Sequence, residues 1–240
     1  YRVEIELPFS SGSCTIEDYV NISISSTQSS DPISDFELCD DISGDGIEVF
    51  DLTFKDAEAL ASVPPGDYSI TYHLNQIDAE NGTNAISGPI ENLSNPQVVH
   101  VRIEDITNGC LAYSTLNLIV NELPNISPPT ILEACDDATA DGFTAIDLSI
   151  KNDEITNGQD NLIVTYHSSA EDAELGNNAI PLPYVNTEPS EQLFVSVRNP
   201  QTGCTSTTTL DISVLDNPII NTQDYYIDAC DADYDGIANF

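Results

Sequence analysis

Residues 97–121 read QVVHVRIEDITNGCLAYSTLNLIVN, and residues 195–215 read VSVRNPQTGCTSTTTLDISVL. In the first stretch Val99, Val101 and Ile103 alternate with His100 and Arg102, and Leu116, Leu118 and Val120 alternate with polar neighbours. In the second, Val195 and Val197 flank Ser196, and Leu210, Ile212 and Val214 repeat the same spacing. A two-residue period puts every second side chain on one face, which is the signature of a strand with one buried side. The turns TNGC and TGC join each pair of strands into a hairpin.

The neighbouring segments extend this reading. YSITYH (68–73) and LIVTYH (162–167) are further strands, as are EVFDL (48–52) and TAIDL (144–148). One short helix is predicted at SSAEDAEL (168–175), with Ser169 as N-cap and Gly176 just past its end. Five to seven short strands in a unit of about 95 residues predict an all-β chain of immunoglobulin-like β-sandwich domains.

The unit length comes from the cysteines. Cys39, Cys135 and Cys230 recur at spacings of 96 and 95 residues, and Cys14, Cys110 and Cys204 at 96 and 94. DLT at 51–53 matches DLS at 147–149, TYH at 71–73 matches 165–167, and DAE at 78–80 matches 172–174 in the same register. One tandem period therefore accounts for the whole chain. The expected layout is the end of a preceding repeat over 1–30, complete repeats over 31–126 and 127–220, and the start of another over 221–240. Short Pro-containing joints, NELPNISPPT and LDNPII, predict units stacked end to end with limited play. The opening residues lack the basic and apolar regions of a signal peptide, and both ends fall inside repeat units, so an internal fragment is expected.

Five Lys and Arg against 41 Asp and Glu give a formal charge of −36. Such a surface repels nucleic acid, whose binding depends on cationic side chains, and it disfavours anionic membranes. No apolar run reaches the length of a membrane span, so insertion in a bilayer is not expected. Divalent cations are the natural partners of so acidic a chain.

Two cysteine pairings respect the period. One joins Cys39–Cys110 and Cys135–Cys204 within repeats and leaves Cys14 and Cys230 to partners outside the fragment. The other joins Cys14–Cys39, Cys110–Cys135 and Cys204–Cys230 across the joints. The first is favoured because about 33 Å of strand separates Cys110 from the joint, whereas bridged Cα atoms lie within about 7 Å. Parity dissents: Cys110 shares the inward phase of Leu116, but Cys39 shares that of Glu37.

Each first-series cysteine is followed by alternating oxygen-bearing residues and a glycine. These are Asp41, Ser43 and Asp45 before Gly46; Asp137, Thr139 and Asp141 before Gly142; and Asp231, Asp233 and Asp235 before Gly236. Oxygens at positions 1, 3 and 5 with a turn glycine at 6 suit Ca²⁺, with the carbonyls of Ile47 and Phe143 at position 7 and Asp51 and Asp147 near position 12. The bland alternative is an Asp-rich turn whose carboxylates cap backbone N–H groups.

Catalysis is not expected. The recurrent His73 and His167 read as surface or packing residues on strands, and nucleophile, phosphate-loop and zinc-protease motifs are absent. Arg102 and Arg198 suggest an ion pair inside each repeat, while Lys55 and Lys151 read as solvated. The Asn-x-Ser/Thr triplets at Asn21, Asn81, Asn92 and Asn125 carry little weight.

The constellation CDD, DG, FDLT, TYH, DAENGTNAI and NPQVVHVRIEDITNGC resembles the tandem repeats of giant cell-surface adhesins exported by the type IX secretion system of Bacteroidota, the SprB-like gliding-motility adhesins. That resemblance implies an extracellular repeat stalk or filament attached to the outer membrane through other regions. It also implies partnership with neighbouring repeats, the secretion and gliding machinery, and a surface polysaccharide or the substratum. The alternatives are a polysaccharide- or ligand-binding module, against which the lack of Trp counts, and accessory repeats of a secreted hydrolase.

Overall fold

The structure is a computed structural model that describes the backbone of residues 2–9 and 12–19, and residues 33–61 and 63–218 in full. Contacts divide the chain into two units, Tyr1–Leu123 and Pro124–Phe240. Near the N-terminus, strands β1 (Arg2–Phe9) and β2 (Gly12–Tyr19) form an antiparallel hairpin.

The first complete repeat holds β3 (Phe36–Cys39), β4 (Val49–Phe50), α1 (Asp56–Leu60), β5 (Tyr68–His73), α2 (Gln76–Asn81), β6 (Ile90–Glu91), β7 (Gln97–Asp105) and β8 (Leu111–Asn121). Its main sheet has the order β3-β8-β7-β5, and β4 and β6 form a small second sheet. The β7–β8 hairpin sets the register: Val99 lies opposite Leu116 and Ile103 opposite Ala112. All four are buried, as the alternation predicts. Phe50, Leu52, Tyr72, Leu118 and Val120 complete one core. Each fully buried aliphatic side chain contributes about 1.5–3 kcal/mol relative to exposure.

The second repeat copies this plan. It comprises β9 (Leu132–Cys135), β10 (Ala145–Ile146), α3 (Asn152–Ile155), β11 (Ile163–His167), α4 (Ala170–Leu175), β12 (Tyr184–Val185), β13 (Ser190–Arg198) and β14 (Thr205–Leu215). The main sheet runs β11-β13-β14-β9, with β10 paired to β12. Leu148, Ile155, Tyr166, Val195, Val197, Leu210 and Ile212 form its core. The chain is thus built of tandem immunoglobulin-like β-sandwich repeats.

Helix α4 begins and ends where the sequence signals it. Ser169 Oγ accepts from the Asp172 N–H, and Gly176 closes the helix in the left-handed conformation. Helices α1, α2 and α3 are too short for periodicity to reveal. Capping marks α2, because Asn75 accepts from the Asp78 N–H and Gly82 ends the helix with a positive φ.

The first strand of each repeat runs parallel to the last. Cys39 stands opposite Asn121 at the end of β8, and Cys135 opposite Leu215 at the end of β14. Both cysteines therefore lie at the pole where the last strand ends, here termed the exit pole. Cys110 immediately precedes β8 and Cys204 immediately precedes β14, at the opposite pole. Roughly 35 Å of strand separates the two cysteines of a repeat, five times the reach of a disulfide. The expected pairs Cys39–Cys110 and Cys135–Cys204 are therefore wrong. The physical reason is that a cysteine ending the first strand aligns with the end, and not the start, of a parallel last strand.

Candidate functional site

The acidic loop grows out of the exit pole. The Asp40 N–H donates to the Asn121 carbonyl at 2.8 Å, and the Asp136 N–H to the Leu215 carbonyl at 2.9 Å, so each loop leaves as a continuation of the ladder. Asp40 and Asp136 then turn inward and are 6% and 7% exposed. Asp40 Oδ2 accepts from the Gly46 N–H at 2.9 Å, and Asp136 Oδ2 from the Gly142 N–H at 2.7 Å. Each buried carboxylate thereby closes its own loop. The glycines are required: φ is +71° at Gly46 and +86° at Gly142, and a Cβ at Gly142 would stand 3.1 Å from Pro189 Cγ.

Among the described residues, each carboxylate expected to hold a cation accepts from the backbone N–H two residues on. Asp41 Oδ1 accepts from the Ser43 N–H and Asp137 Oδ1 from the Thr139 N–H, each at 2.7 Å. Bonds from the Ser43 side chain and N–H hold the Asp41 carboxyl below its ordinary range, and Thr139 does the same for Asp137. Asp45 and Asp141 accept from the N–H groups of Ile47 and Phe143. Asp51 and Asp147 cap the 3-10 turns Leu52–Lys55 and Leu148–Lys151 through the N–H groups of Thr53 and Ser149. The carboxylates that do converge, with oxygens within 4.8 Å of one another, are Asp40, Asp41 and Glu48 in one repeat and Asp136, Asp137 and Asp141 in the other. Asp231, Asp233 and Asp235 lie outside the described residues.

Asn92 and Asn186 brace the loop from behind. Asn92 is 3% exposed; its Oδ1 accepts from the Glu48 N–H at 2.7 Å and its Nδ2 donates to the Gly46 carbonyl at 2.8 Å. Asn186 makes the same bonds to Thr144 and Gly142, both at 2.8 Å. The sequence offered one signal for this pair: Asn recurs there at a spacing of 94 residues, although Asn92 presents itself as a glycosylation triplet.

Other recurrent residues also serve the scaffold. His73 and His167 are fully buried, with Nδ1 on the carbonyls of Thr83 and Asn177 and Nε2 on the hydroxyls of Thr71 and Thr165. Lys55 and Lys151 are not solvated. Lys55 Nζ binds Ser34 Oγ at 2.8 Å and Glu58 at 3.1 Å, and Lys151 Nζ binds Thr130 Oγ1 at 2.6 Å and Glu154 at 2.9 Å. Each lysine ties the segment before the first strand to the helical turn after β4 or β10. Arg102 pairs with Glu104 at 2.7 Å, as an intradomain ion pair requires. Tyr72 and Tyr166 are pushed well above the ordinary tyrosine range by burial, and each hydroxyl donates, Tyr72 to Asp56 and Tyr166 to Asn152.

Cys39 and Cys204 are disulfide-bonded. Cys39 is exposed at the exit pole of its repeat, and Cys204 is 1% exposed at the opposite pole of the next. The partners expected for Cys14 and Cys230 concern side chains outside the described residues. No helix among the described residues is long and apolar enough to cross a membrane.

Comparison with solved structures gives low similarity throughout. A three-immunoglobulin-domain fragment of titin is 10% identical, covering 86% of this chain and 71% of that one, with a TM-score of 0.27. Drosophila N-cadherin extracellular domains 1 to 4 are 16% identical over 64% of this chain and 43% of that one, with a TM-score of 0.24. Immunoglobulin domains 1 to 4 of Sidekick-1 are 10% identical over 90% and 58%, with a TM-score of 0.23. The chain thus spans about half the length of the latter two structures. No curated protein matches the chain. Residues 35–124 and 131–219 each match the profile of one family, the Flavobacterium inter-domain disulphide bond domain.

Proposed function

Since the chain belongs to the Flavobacterium inter-domain disulphide bond domain family, we propose that it is a load-bearing repeat segment of a secreted surface adhesin, in which consecutive repeats are cross-linked by a bond between Cys39 and Cys204. The observation that carries this reading is the polar placement of the cysteines. Cys39 ends the first strand at the exit pole of one repeat, Cys204 immediately precedes the last strand at the opposite pole of the next, and both are oxidised. This pairing is neither of the two that spacing alone suggested. The arrangement explains the alternation of the two cysteine series: every repeat offers one sulfur forward and one backward. A disulfide of this kind persists in an oxidising, extracellular setting.

A mechanical consequence follows. Tension entering at the first repeat passes through Cys39 directly to Cys204, and the chain between them is shielded from extension. Packing, capping and turn chemistry recur in both repeats, and the residues so used support a structural role over a catalytic one. On this reading the array is exported by type IX secretion and carried by the gliding or attachment machinery through other regions of the protein. Its surface ligand would be a polysaccharide or the substratum.

Peptide mapping without reductant tests the reading. A single cross-linked peptide pair containing Cys39 and Cys204 is expected, and force spectroscopy should release the intervening length only after reduction. A Cys39–Cys110 pair, or unchanged extension with and without reductant, refutes it.

A further inference from the structure

We propose a divalent-cation site in the first complete repeat, formed by Asp40, Asp41 and Glu48. This placement is independent of the stalk reading. Three observations converge on it. The three carboxylates bring oxygens within 4.8 Å of one another. Asp40 is 6% exposed, and while Oδ2 is engaged by the Gly46 N–H, Oδ1 is buried and meets no donor. Among the described residues the ion-paired cations are committed elsewhere: Lys55 to Glu58, Arg102 to Glu104 and Lys151 to Glu154.

Buried carboxylate oxygens almost always have a partner, because an unsatisfied one forfeits its hydration without compensation. Ca²⁺ accepts carboxylate oxygens at 2.3–2.6 Å. Oxygens on opposite sides of such an ion are separated by about 4.6–5.2 Å, and those on adjacent sides by less, which matches the observed spread. A cation held there would fix the loop that directly follows Cys39.

The second repeat shows why the inference is confined to the first. Asp136 Oδ1 accepts from the Asp137 N–H at 2.8 Å and Oδ2 from the Gly142 N–H, so neither oxygen is open. Thr144 stands where the first repeat has Glu48. Its cluster of Asp136, Asp137 and Asp141 is an acidic turn whose buried member is already satisfied.

Calorimetric titration of the oxidised, chelator-treated 240-residue chain with CaCl₂ tests the site. Binding on the order of 10⁻⁴ M is expected, the range of extracellular Ca²⁺ modules, with a rise in Tm. Asp40→Asn and Glu48→Gln should each weaken binding by about tenfold to a hundredfold. Asp136→Asn should leave it unchanged. Glu48→Gln preserves the backbone N–H that bonds Asn92, so it keeps the test valid if Asp40→Asn folds poorly. Absence of heat and of any Tm shift at about 10 mM Ca²⁺ overturns the site. So does binding that neither substitution weakens, which would place the ion elsewhere, as at residues 231–235.

Discussion

The two repeats share a skeleton and differ in the acidic loop and around one arginine. Asn92 and Asn186 hold the same brace; Lys55 and Lys151 make the same clamp with Glu58 and Glu154; His73 and His167 occupy the same sealed position. In the acidic loop the copies part. Gly44 becomes Ala140, Glu48 becomes Thr144, and the buried aspartate passes from half satisfied to fully satisfied. Arg102 finds Glu104 two residues on, whereas Arg198 has Pro200 at that position. The invariant Asn and His side chains bond backbone groups that would otherwise lose a partner. The variable loop positions surround the buried oxygen of Asp40 that meets no donor.

The largest test of that division concerns the brace. Asn92→Ala strips partners from the Glu48 N–H and the Gly46 carbonyl, and Asn186→Ala does so for Thr144 and Gly142. Each should cost about 2–4 kcal/mol, read by denaturant unfolding of the affected repeat. Equal losses sustain the equivalence of the two braces, and a loss below about 0.5 kcal/mol in either breaks it.

A smaller effect probes the loop itself. Gly44 has φ +65° and open space around it, with nothing within 4 Å of where a Cβ would stand, while Ala140 sits at φ +50°. A side chain at Gly44 would therefore meet no clash, and its cost would be backbone strain. Gly44→Ala should destabilise the first repeat by about 1 kcal/mol, and Ala140→Gly should stabilise the second by up to about 1 kcal/mol. Changes of the same sign in Tm would contradict this.

The smallest expected contrast is in acid. Glu58 is lowered mainly by the Ser34 N–H and Glu154 mainly by Lys151, while Asp78 is lowered by Asn84, Thr83 and Asn75, and Asp172 by Ser169 and Asn178. A depressed carboxyl stabilises the fold fully above its unfolded value, about 4, and that share is lost as pH falls through the depressed folded value. These groups are exposed, so each share is small. Both repeats should lose Tm together below about pH 4, and a loss confined to one repeat would show that the matched networks are not equivalent.

Much of the fold was legible because it is local. The alternation of Val99, Val101 and Ile103 with His100 and Arg102 named the buried face, and Ser169 and Gly176 bounded α4. The converging carboxylates were less legible. Residues one, three and five of the loop were the natural choice; Asp41 and Asp45 make Asx-type bonds to the N–H groups two residues on, and Asp41 also joins the converging carboxylates. Asp45 and Asp51 each accept from the backbone N–H two residues on. The more informative residue, Asp40, looked like a spacer beside Cys39, since burial of one carboxylate oxygen without a donor leaves no trace in composition.

By itself the sequence determined the hairpins and the caps of α4, which depend on neighbours a few residues apart, and the period and two cysteine series, which show as repetition along the chain. Tertiary structure alone decided where those cysteines stand. Pairing the first strand parallel to the last joins residues some eighty positions apart, as Asn117 does with Asp35, and no local pattern encodes which end of β8 meets Cys39. That single register placed the two sulfurs of each repeat at opposite poles, and so turned them from a clasp within a domain toward a link between domains.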